Sequence, residues 1–226
     1  MRYKKINNSK NYEKTFKKIS IHYDSLIKKH KYNVKGSQQR DNITRNKRLK
    51  ILLSDTKFNQ KSSILDFGCG TGYLLDFLIK KKFKGTYTGI DLSKTAVQFA
   101  KKKYKNYKRY KFYNINILKH NLLDKYDYVI INGTFNNNTG NNWYWMKEIL
   151  INLFKHTKIK LSFNNLSKYV DYYDKNLFYI EPEKVLSFSK KYLGKFVNLN
   201  HSYRLKKNVI PYEFTTSIYK RNAKKN

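Results

Sequence analysis

The chain has 226 residues, with 49 basic and 15 acidic side chains and a formal net charge of +34 at pH 7. This length is typical of one domain with a sizeable core, and the apolar runs are far shorter than the roughly 20 residues that a membrane-spanning helix needs. A single cysteine, Cys69, excludes an internal disulfide and any metal site built on paired cysteines, and no metal site is expected.

The first residues are basic but lack the apolar stretch of a secretory signal, so a cytoplasmic location is expected. A stripe of apolar residues at alternating spacings of three and four predicts an amphipathic helix near the start. The members of this stripe are Tyr12, Phe16, Ile19, Tyr23 and Leu26. After a break at residues 31–37, a second helix is predicted to run to about Leu53. We interpret residues 1–56 as an N-terminal helical cap or lid.

From about Ser62 the chain alternates short apolar runs with helical segments. The runs "SILDF", "TYTGIDL", "KFYNINIL", "YDYVIING" and "KIKLSF" predict strands, and helices are predicted between most of them. This alternation is typical of a parallel sheet with helices on both faces. The last two runs, "FVNLNHSY" and "YEFTTSIYK", alternate apolar and polar residues and predict an antiparallel pair. We expect a core over residues 57–220 and a disordered basic tail at 221–226.

The stretch "ILDFGCGTGYLL", Ile64 to Leu75, joins the first of these strands to a helix through three glycines at alternate positions. Such a turn offers unpaired N–H groups and a close backbone approach, which suits an anion or a nucleotide. The dinucleotide fingerprint requires a third glycine where this chain has Tyr73. Asp66, two residues before the first glycine, suits an ammonium group better than a pyrophosphate. Asp91 ends the next strand, where a carboxylate can accept both ribose hydroxyls of either kind of cofactor.

Three motifs resemble those of a known family in order and interval. "ILDFGCGTGYLL", "YTGIDLSKTAVQFAKK" and "YDYVIINGTFN" are similar to the first, second and fourth motifs of class I methyltransferases that use S-adenosylmethionine (SAM). The resemblance covers about Ser62 to Lys220. It implies a Rossmann-like fold with a seven-stranded, mostly parallel sheet, helices on both faces and an antiparallel last strand, with SAM as the cofactor.

The resemblance also implies a cofactor site. The turn would hold the methionine moiety, Asp91 the ribose, Leu92 and Asn116 the adenine, and Asn132 and Gly133 would line the methyl-transfer channel. Cys69 lies in the same turn, where a small packed side chain is expected rather than a nucleophile. A narrower similarity to bacterial small-molecule methyltransferases, often associated with surface-polysaccharide or secondary biosynthesis, would place Arg48 near the SAM carboxylate. The residues implied in the turn itself are Asp66, Gly68, Cys69, Gly70 and Gly72.

The acceptor is less well determined by the sequence. A base assists an acceptor that must lose a proton, and the late segment offers His201, Tyr203 and Glu213 as candidates, although ordinary hydrogen bonding at strand ends is the favoured interpretation of each. We expect a methyltransferase for a small-molecule or carbohydrate-linked acceptor. The alternatives are an RNA methyltransferase that uses the basic surface and a protein of the same fold that binds SAM without catalysis.

The excess charge has two interpretations. A strongly basic surface attracts RNA, DNA or anionic lipid, yet 42 of the 49 basic residues are lysine, whereas phosphate recognition favours the fork of arginine. The segment "KKKYKNYKRYK", residues 101–111, is the strongest candidate for nucleic-acid contact, because three tyrosines are interleaved with seven cations. The favoured interpretation of this segment is a solvated helix end with a buried tyrosine.

Overall fold

A computed structural model of the chain describes residues 3–5, 12–30 and 41–221. The predicted break at residues 31–37 and the predicted tail, apart from Arg221, lie outside the described residues. The six helices of the described part are α1 (Glu13–His30), α2 (Asn42–Leu52), α3 (Tyr73–Lys80), α4 (Lys94–Lys103), α5 (Asn142–Lys155) and α6 (Pro182–Tyr192). None of these helices is both long enough and apolar enough to cross a membrane.

The ten strands of the described part form two sheets. They are β1 (Tyr3–Lys5), β2 (Ser63–Phe67), β3 (Thr86–Asp91), β4 (Tyr110–Asn114), β5 (His120–Leu122), β6 (Tyr126–Ile131), β7 (Thr157–Ser167), β8 (Tyr179–Ile180), β9 (Phe196–Asn200) and β10 (Glu213–Tyr219). The main sheet has the order β4-β3-β2-β6-β7-β10-β9, and the two-residue β8 pairs with β7. β1 and β5 form a separate antiparallel pair.

The predicted fold class is confirmed by this topology. Strands β4, β3, β2, β6 and β7 are mutually parallel, while β10 is antiparallel to both β7 and β9. The central strands β2, β3 and β6 are buried along nearly their whole length, as expected for strands covered on both faces. The pairing of β1 with β5 and the added strand β8 were not anticipated, because strands of two or three residues are too short to show a periodicity.

Two apolar cores cover the two faces of the main sheet. One core joins α2, α3 and α4 to the sheet through residues such as Leu49, Leu75 and Val97. The other joins α5 and α6 to the opposite face through residues such as Leu150 and Val185, and it also includes Phe16 of α1. The helices therefore lie on both sides of the sheet, and its carboxyl edge is open to the segments that precede β2.

Helix α1 lies over that carboxyl edge and is held at the start of α4. Asp24 accepts hydrogen bonds from the Ser93 hydroxyl at 2.5 Å and from the Thr95 N–H at 3.1 Å, and the Ser20 hydroxyl donates to the Leu92 carbonyl at 2.9 Å. A carboxylate at a helix N-terminus interacts favourably with the helix dipole. These contacts fix α1 beside the end of β3.

Helix α2 is attached to β7 and β10 by buried polar groups. Lys160 of β7 is fully buried and donates to the carbonyl oxygens of Leu52 and Ser54 at the end of α2. Burial lowers the pKa of Lys160 to about 8. Arg48 pairs with Glu213 of β10. The second helix of the predicted cap is thus fastened to the antiparallel half of the sheet.

Candidate functional site

A cavity opens at the carboxyl edge of the sheet, beside the turns that follow β2, β3 and β6. Strands β3 and β6 flank β2 on its two sides. The chain therefore builds the sheet first to one side of β2 and then to the other, and β2 lies at the point where the strand order reverses. Ligands of open parallel α/β sheets bind at such a reversal, outside the carboxyl ends of the strands. The topology therefore places the glycine turn at the position where a ligand is expected.

The glycine turn after β2 is held against the end of β3. The N–H groups of Gly68 and Cys69 both donate to the Ile90 carbonyl, at 2.8 and 3.1 Å. Gly68 has φ of +75°, and a Cβ atom there would lie 2.2 Å from the Thr134 hydroxyl oxygen. Gly70 also has a positive φ, of +50°, but a Cβ atom there would meet no atom within 4 Å. Packing against Thr134 therefore leaves no room for a side chain at Gly68, whereas Gly70 faces open space.

Asp66 lies at the end of β2 with its carboxyl group buried. The Tyr87 hydroxyl donates to it at 2.5 Å. Burial raises the pKa of Asp66 to about 7, the negative charge of Asp91 acts in the same direction, and the hydrogen bond from Tyr87 opposes the rise. Near neutral pH this carboxyl group is thus close to its midpoint and would release its proton to gain a cationic partner.

Asp91 ends β3 and faces the same turn. Its two carboxylate oxygens accept hydrogen bonds from the N–H groups of Gly70 and Ser93, each at 2.8 Å. Burial raises the pKa of Asp91, and the two backbone hydrogen bonds oppose the rise. Each oxygen retains a further lone pair. The group is therefore oriented to accept two more hydrogen bonds, as a vicinal diol would supply.

Most of the predicted cofactor residues line this one cavity. Those that do are Asp66, Gly68, Cys69, Gly70, Asp91, Leu92, Asn116, Asn132 and Gly133. Gly72 does not line it. Gly72 instead caps α3 with φ of +85° and accepts a hydrogen bond from the Tyr104 hydroxyl through its carbonyl. Burial raises the pKa of the Cys69 thiol well above its ordinary value, which fits the expectation of a packed side chain rather than a nucleophile.

Arg48 occupies a different place from the one expected. Its Nε atom donates to both carboxylate oxygens of Glu213, at 2.8 and 2.9 Å, and it is not among the residues that line the cavity. Arg45, one helical turn earlier on α2, lines the cavity instead. The Arg45 guanidinium carbon lies 3.0 Å from the centre of the Tyr73 ring. Nothing in the local sequence distinguishes these two arginines, because residues three apart lie on the same side of a helix.

The three late candidates for catalysis lie outside the lining of the cavity. The Tyr203 hydroxyl is 3.2 Å from Glu213 and 2.9 Å from the Thr215 hydroxyl, so it joins the buried pair of Arg48 and Glu213. His201 contacts the Pro211 carbonyl oxygen through Nε2 at 3.0 Å. All three side chains therefore have structural hydrogen-bond partners, as the favoured sequence interpretation expects.

Several apolar lining residues were not anticipated as site residues. Helix α1 contributes four side chains and α5 contributes two, namely Phe16, Ile19, Tyr23, Ile27, Trp145 and Ile149. The buried face of α1 differs from the predicted stripe at the last position, where Ile27 is buried and the predicted Leu26 is only half-buried. The amphipathic periodicity located this face of α1, but periodicity alone does not separate a core face from the wall of a cavity.

Two buried polar atoms of lining residues have no hydrogen-bond partner within the described structure. They are the side-chain oxygen Oδ1 of Asn132 and the Nε atom of Arg45. Unpaired buried polar groups are costly. Together with the two buried carboxyl groups, these atoms provide donors and acceptors for a ligand that carries an ammonium, a carboxylate and a ribose, so the residues present fit SAM.

Comparison with known proteins gives a consistent result. Residues 58–169 match a family described as a methyltransferase domain. A putative methyltransferase of Mycobacterium tuberculosis is 31% identical over 164 residues, which cover 70% of this chain and 93% of that protein. A malonyl-[acyl-carrier protein] O-methyltransferase of Priestia megaterium is 41% identical over 83 residues, which cover 37% of this chain and only 30% of that enzyme.

Solved structures share the fold at low identity. The magnesium protoporphyrin IX methyltransferase of Synechocystis PCC 6803, solved with bound SAM, superposes with a TM-score of 0.64 at 14% identity and covers 96% of this chain and 100% of its own. The plantazolicin methyltransferase BpumL gives a TM-score of 0.62 at 16% identity, covering 93% of this chain and 100% of its own. The acceptors in these names differ, although the architecture is shared.

Proposed function

This chain belongs to the class I SAM-dependent methyltransferase family, and we propose that it methylates a small-molecule or carbohydrate-linked acceptor. The composition of the cavity supports a small acceptor. Among the described lining residues the only cation is Arg45, and none is lysine, in a chain that contains 42 lysines. A nucleic-acid acceptor would bring phosphates to the cavity mouth, where cationic side chains would be expected. The apolar wall formed by α1 and α5 suits an uncharged, partly apolar acceptor better.

The proposed cofactor contacts follow from the positions of the polar groups. Asp66 would hold the ammonium group of SAM, and Arg45 would hold its carboxylate, taking the role that the sequence resemblance gave to Arg48. Asp91 would accept the ribose hydroxyls, and Leu92 and Asn116 would contact the adenine. The open space beside Gly70 would allow the methionine moiety to approach the backbone. Helices α1 and α2 would together act as the predicted lid.

The chemistry requires few side chains. When bound, SAM supplies a methyl group on a sulfonium, whose departure leaves a neutral thioether and needs no proton. Positioning of the two reactants can therefore supply much of the acceleration. In this protein, α1 would cover the cavity and exclude water, and Asn132 and Gly133, which follow β6 and line the cavity, would face the acceptor. Asn164 fixes this segment, because its side-chain oxygen accepts from the Gly133 N–H at 2.7 Å.

SAM affinity is expected to rise with pH between about 5.5 and 7.5. The pKa of Asp66 is about 7 in the folded protein, and only its ionised form attracts the ammonium group. Below that pKa each pH unit therefore lowers the affinity by up to about tenfold. Above about pH 8 the α-amino group of SAM itself loses its proton, so the rise in SAM affinity should end there. Calorimetric titration with SAM across this range measures the profile.

Asp66→Asn provides the control for this profile. The amide keeps the shape of the side chain but does not ionise, so the variant should bind SAM weakly and with little change between pH 5.5 and 7.5. A wild-type affinity that is constant over this range would contradict the assignment of Asp66 to the ammonium group.

The glycine turn offers a test with a matched control. Gly70 and Gly140 both have positive φ, and a Cβ atom at either position meets nothing within 4 Å. Gly70→Ala and Gly140→Ala should therefore cost a similar backbone strain, on the order of 1 kcal/mol of unfolding free energy. Only Gly70 lines the cavity, so only Gly70→Ala should weaken SAM binding, by about tenfold or more. Equal SAM affinities in the two variants would place the cofactor away from this turn.

The acceptor class can be tested by methyl transfer from radiolabelled SAM into a fractionated extract of the source organism. The RNA, protein, glycan and small-molecule fractions are counted separately, with Asp91→Ala protein as the background. Label in the glycan or small-molecule fraction supports the proposed acceptor class. Label confined to RNA would overturn it and favour the RNA methyltransferase alternative.

A further inference from the structure

A concentration of positive charge lies outside the lining of the cavity. Residues 80–84 and 101–111 carry eleven basic side chains and no acidic one. All eleven are exposed. We call this surface the basic edge. It consists of Lys80, Lys81, Lys82, Lys84, Lys101, Lys102, Lys103, Lys105, Lys108, Arg109 and Lys111.

The basic edge is one continuous surface at the amino ends of β3 and β4. Helices α3 and α4 each run back from the carboxyl edge of the sheet, so residues that end them lie beside the starts of the next strands. The two segments are joined directly, since Arg109 donates to the Lys84 carbonyl at 2.9 Å and the Tyr87 N–H donates to the Arg109 carbonyl at 3.1 Å. No residue of this surface lines the cavity, although Lys103 pairs with Asp76 in the first turn of α3, close to the glycine turn.

Stabilisation of helix ends explains only part of this charge. Lysines in the last turn of a helix interact favourably with its dipole, which accounts for Lys80 on α3 and for residues 101–103 on α4. The remaining seven cations follow the helices or belong to the start of β4, beyond the reach of this effect. The interpretation of residues 101–111 as a solvated helix end therefore accounts for only part of the charge of this surface.

An exposed tyrosine lies among these cations. Tyr104 is buried, as predicted, but Tyr107 is 46% exposed and stacks on Tyr110, with ring centres 5.3 Å apart and planes 26° apart. The Arg109 guanidinium carbon lies 5.9 Å from the centre of the Tyr110 ring. An exposed aromatic ring that is stacked on a second ring and surrounded by cations can bind an unstacked base on its free face, while the cations contact the neighbouring phosphates.

We propose that the basic edge binds single-stranded nucleic acid as a docking surface separate from the methyl-transfer cavity. The exposed face of Tyr107 would stack on one base, and the surrounding lysines would contact neighbouring phosphates. Because no residue of this surface lines the cavity, a strand bound here is not itself placed for methyl transfer. Docking would instead hold the enzyme near RNA while it acts on another substrate.

The test measures binding of a fluorescent ten-nucleotide oligo(U) by anisotropy at several NaCl concentrations. Contact with three or four phosphates predicts a slope of about −2 to −3 in a plot of log affinity against log salt. Tyr107→Ala should weaken binding about tenfold. The triple variant K81Q/K102Q/K105Q should weaken it more than tenfold, whereas K191Q/K195Q/K207Q, which removes three exposed lysines elsewhere, should change it less than threefold. Saturating oligo(U) should leave SAM affinity unchanged.

Four results would overturn the proposal. These are no binding at 50 mM NaCl, equal losses in the two triple variants, competition between oligo(U) and SAM, or binding to phosphatidylglycerol vesicles without binding to oligo(U). Competition with SAM would place the strand in the cavity, and vesicle binding would assign the surface to a membrane. Because SAM affinity is measured on every variant, failure of this proposal is distinguishable from failure of the proposed function.

Discussion

Replacement of Asp91 by alanine is expected to weaken SAM binding by at least about 100-fold. The buried carboxylate is oriented by the N–H groups of Gly70 and Ser93, and the proposed ribose contacts add two hydrogen bonds to a charged acceptor. Each such bond contributes about 1.5–3 kcal/mol, so loss of both corresponds to a factor of a hundred or more in affinity. Calorimetric titration with SAM gives the dissociation constants directly.

Asp127→Ala is the matched control for this variant. Asp127 also accepts two hydrogen bonds, from the N–H and the hydroxyl group of Ser63, both at 2.8 Å. It lies at the amino end of β6, opposite the cavity. The two variants should lose similar stability in thermal unfolding, but Asp127→Ala should retain wild-type SAM affinity. An Asp91→Ala protein that binds SAM as tightly as this control would refute the ribose assignment.

Replacement of Arg48 by methionine is expected to destabilise the fold by about 3–5 kcal/mol. The Arg48 and Glu213 side chains are 8% and 0% exposed, and removal of one partner leaves a buried charge without compensation. Urea unfolding at pH 7 measures the change in the free energy of unfolding.

The double variant R48M/E213L separates the buried charge from the loss of packing. Apolar replacement of both members of a buried pair is often close to neutral, so this variant should recover most of the lost stability. It should also retain SAM affinity, because neither residue lines the cavity. A cost below about 1 kcal/mol for Arg48→Met alone would show that the pair is not buried as the structure has it.

The sequence alone determined the strand, the glycine turn and the acid at the end of the next strand. Their signals are local, since an apolar run, a positive-φ glycine and a carboxylate at a strand end are each encoded within a few residues. Asp66, Gly68, Gly70 and Asp91 converge because consecutive parallel strands present their carboxyl ends at one edge. The alternation of strands and helices was sufficient to predict a parallel sheet with helices on both faces.

Only the tertiary structure decided which side chains of the preceding helices face the cavity and which do not. Arg45 and Arg48 lie on the same side of α2, and their roles differ because Glu213, 165 residues from Arg48, pairs with Arg48 rather than with Arg45. The same holds for the charge. Composition gave +34 without a location, whereas the return of α3 and α4 to the amino edge separates the lysines of residues 80–84 and 101–111 from the cavity. The spacing of residues in the sequence determines local geometry. Contacts between residues far apart in the sequence, such as that of Arg48 with Glu213, decide which of two similar residues faces the cavity.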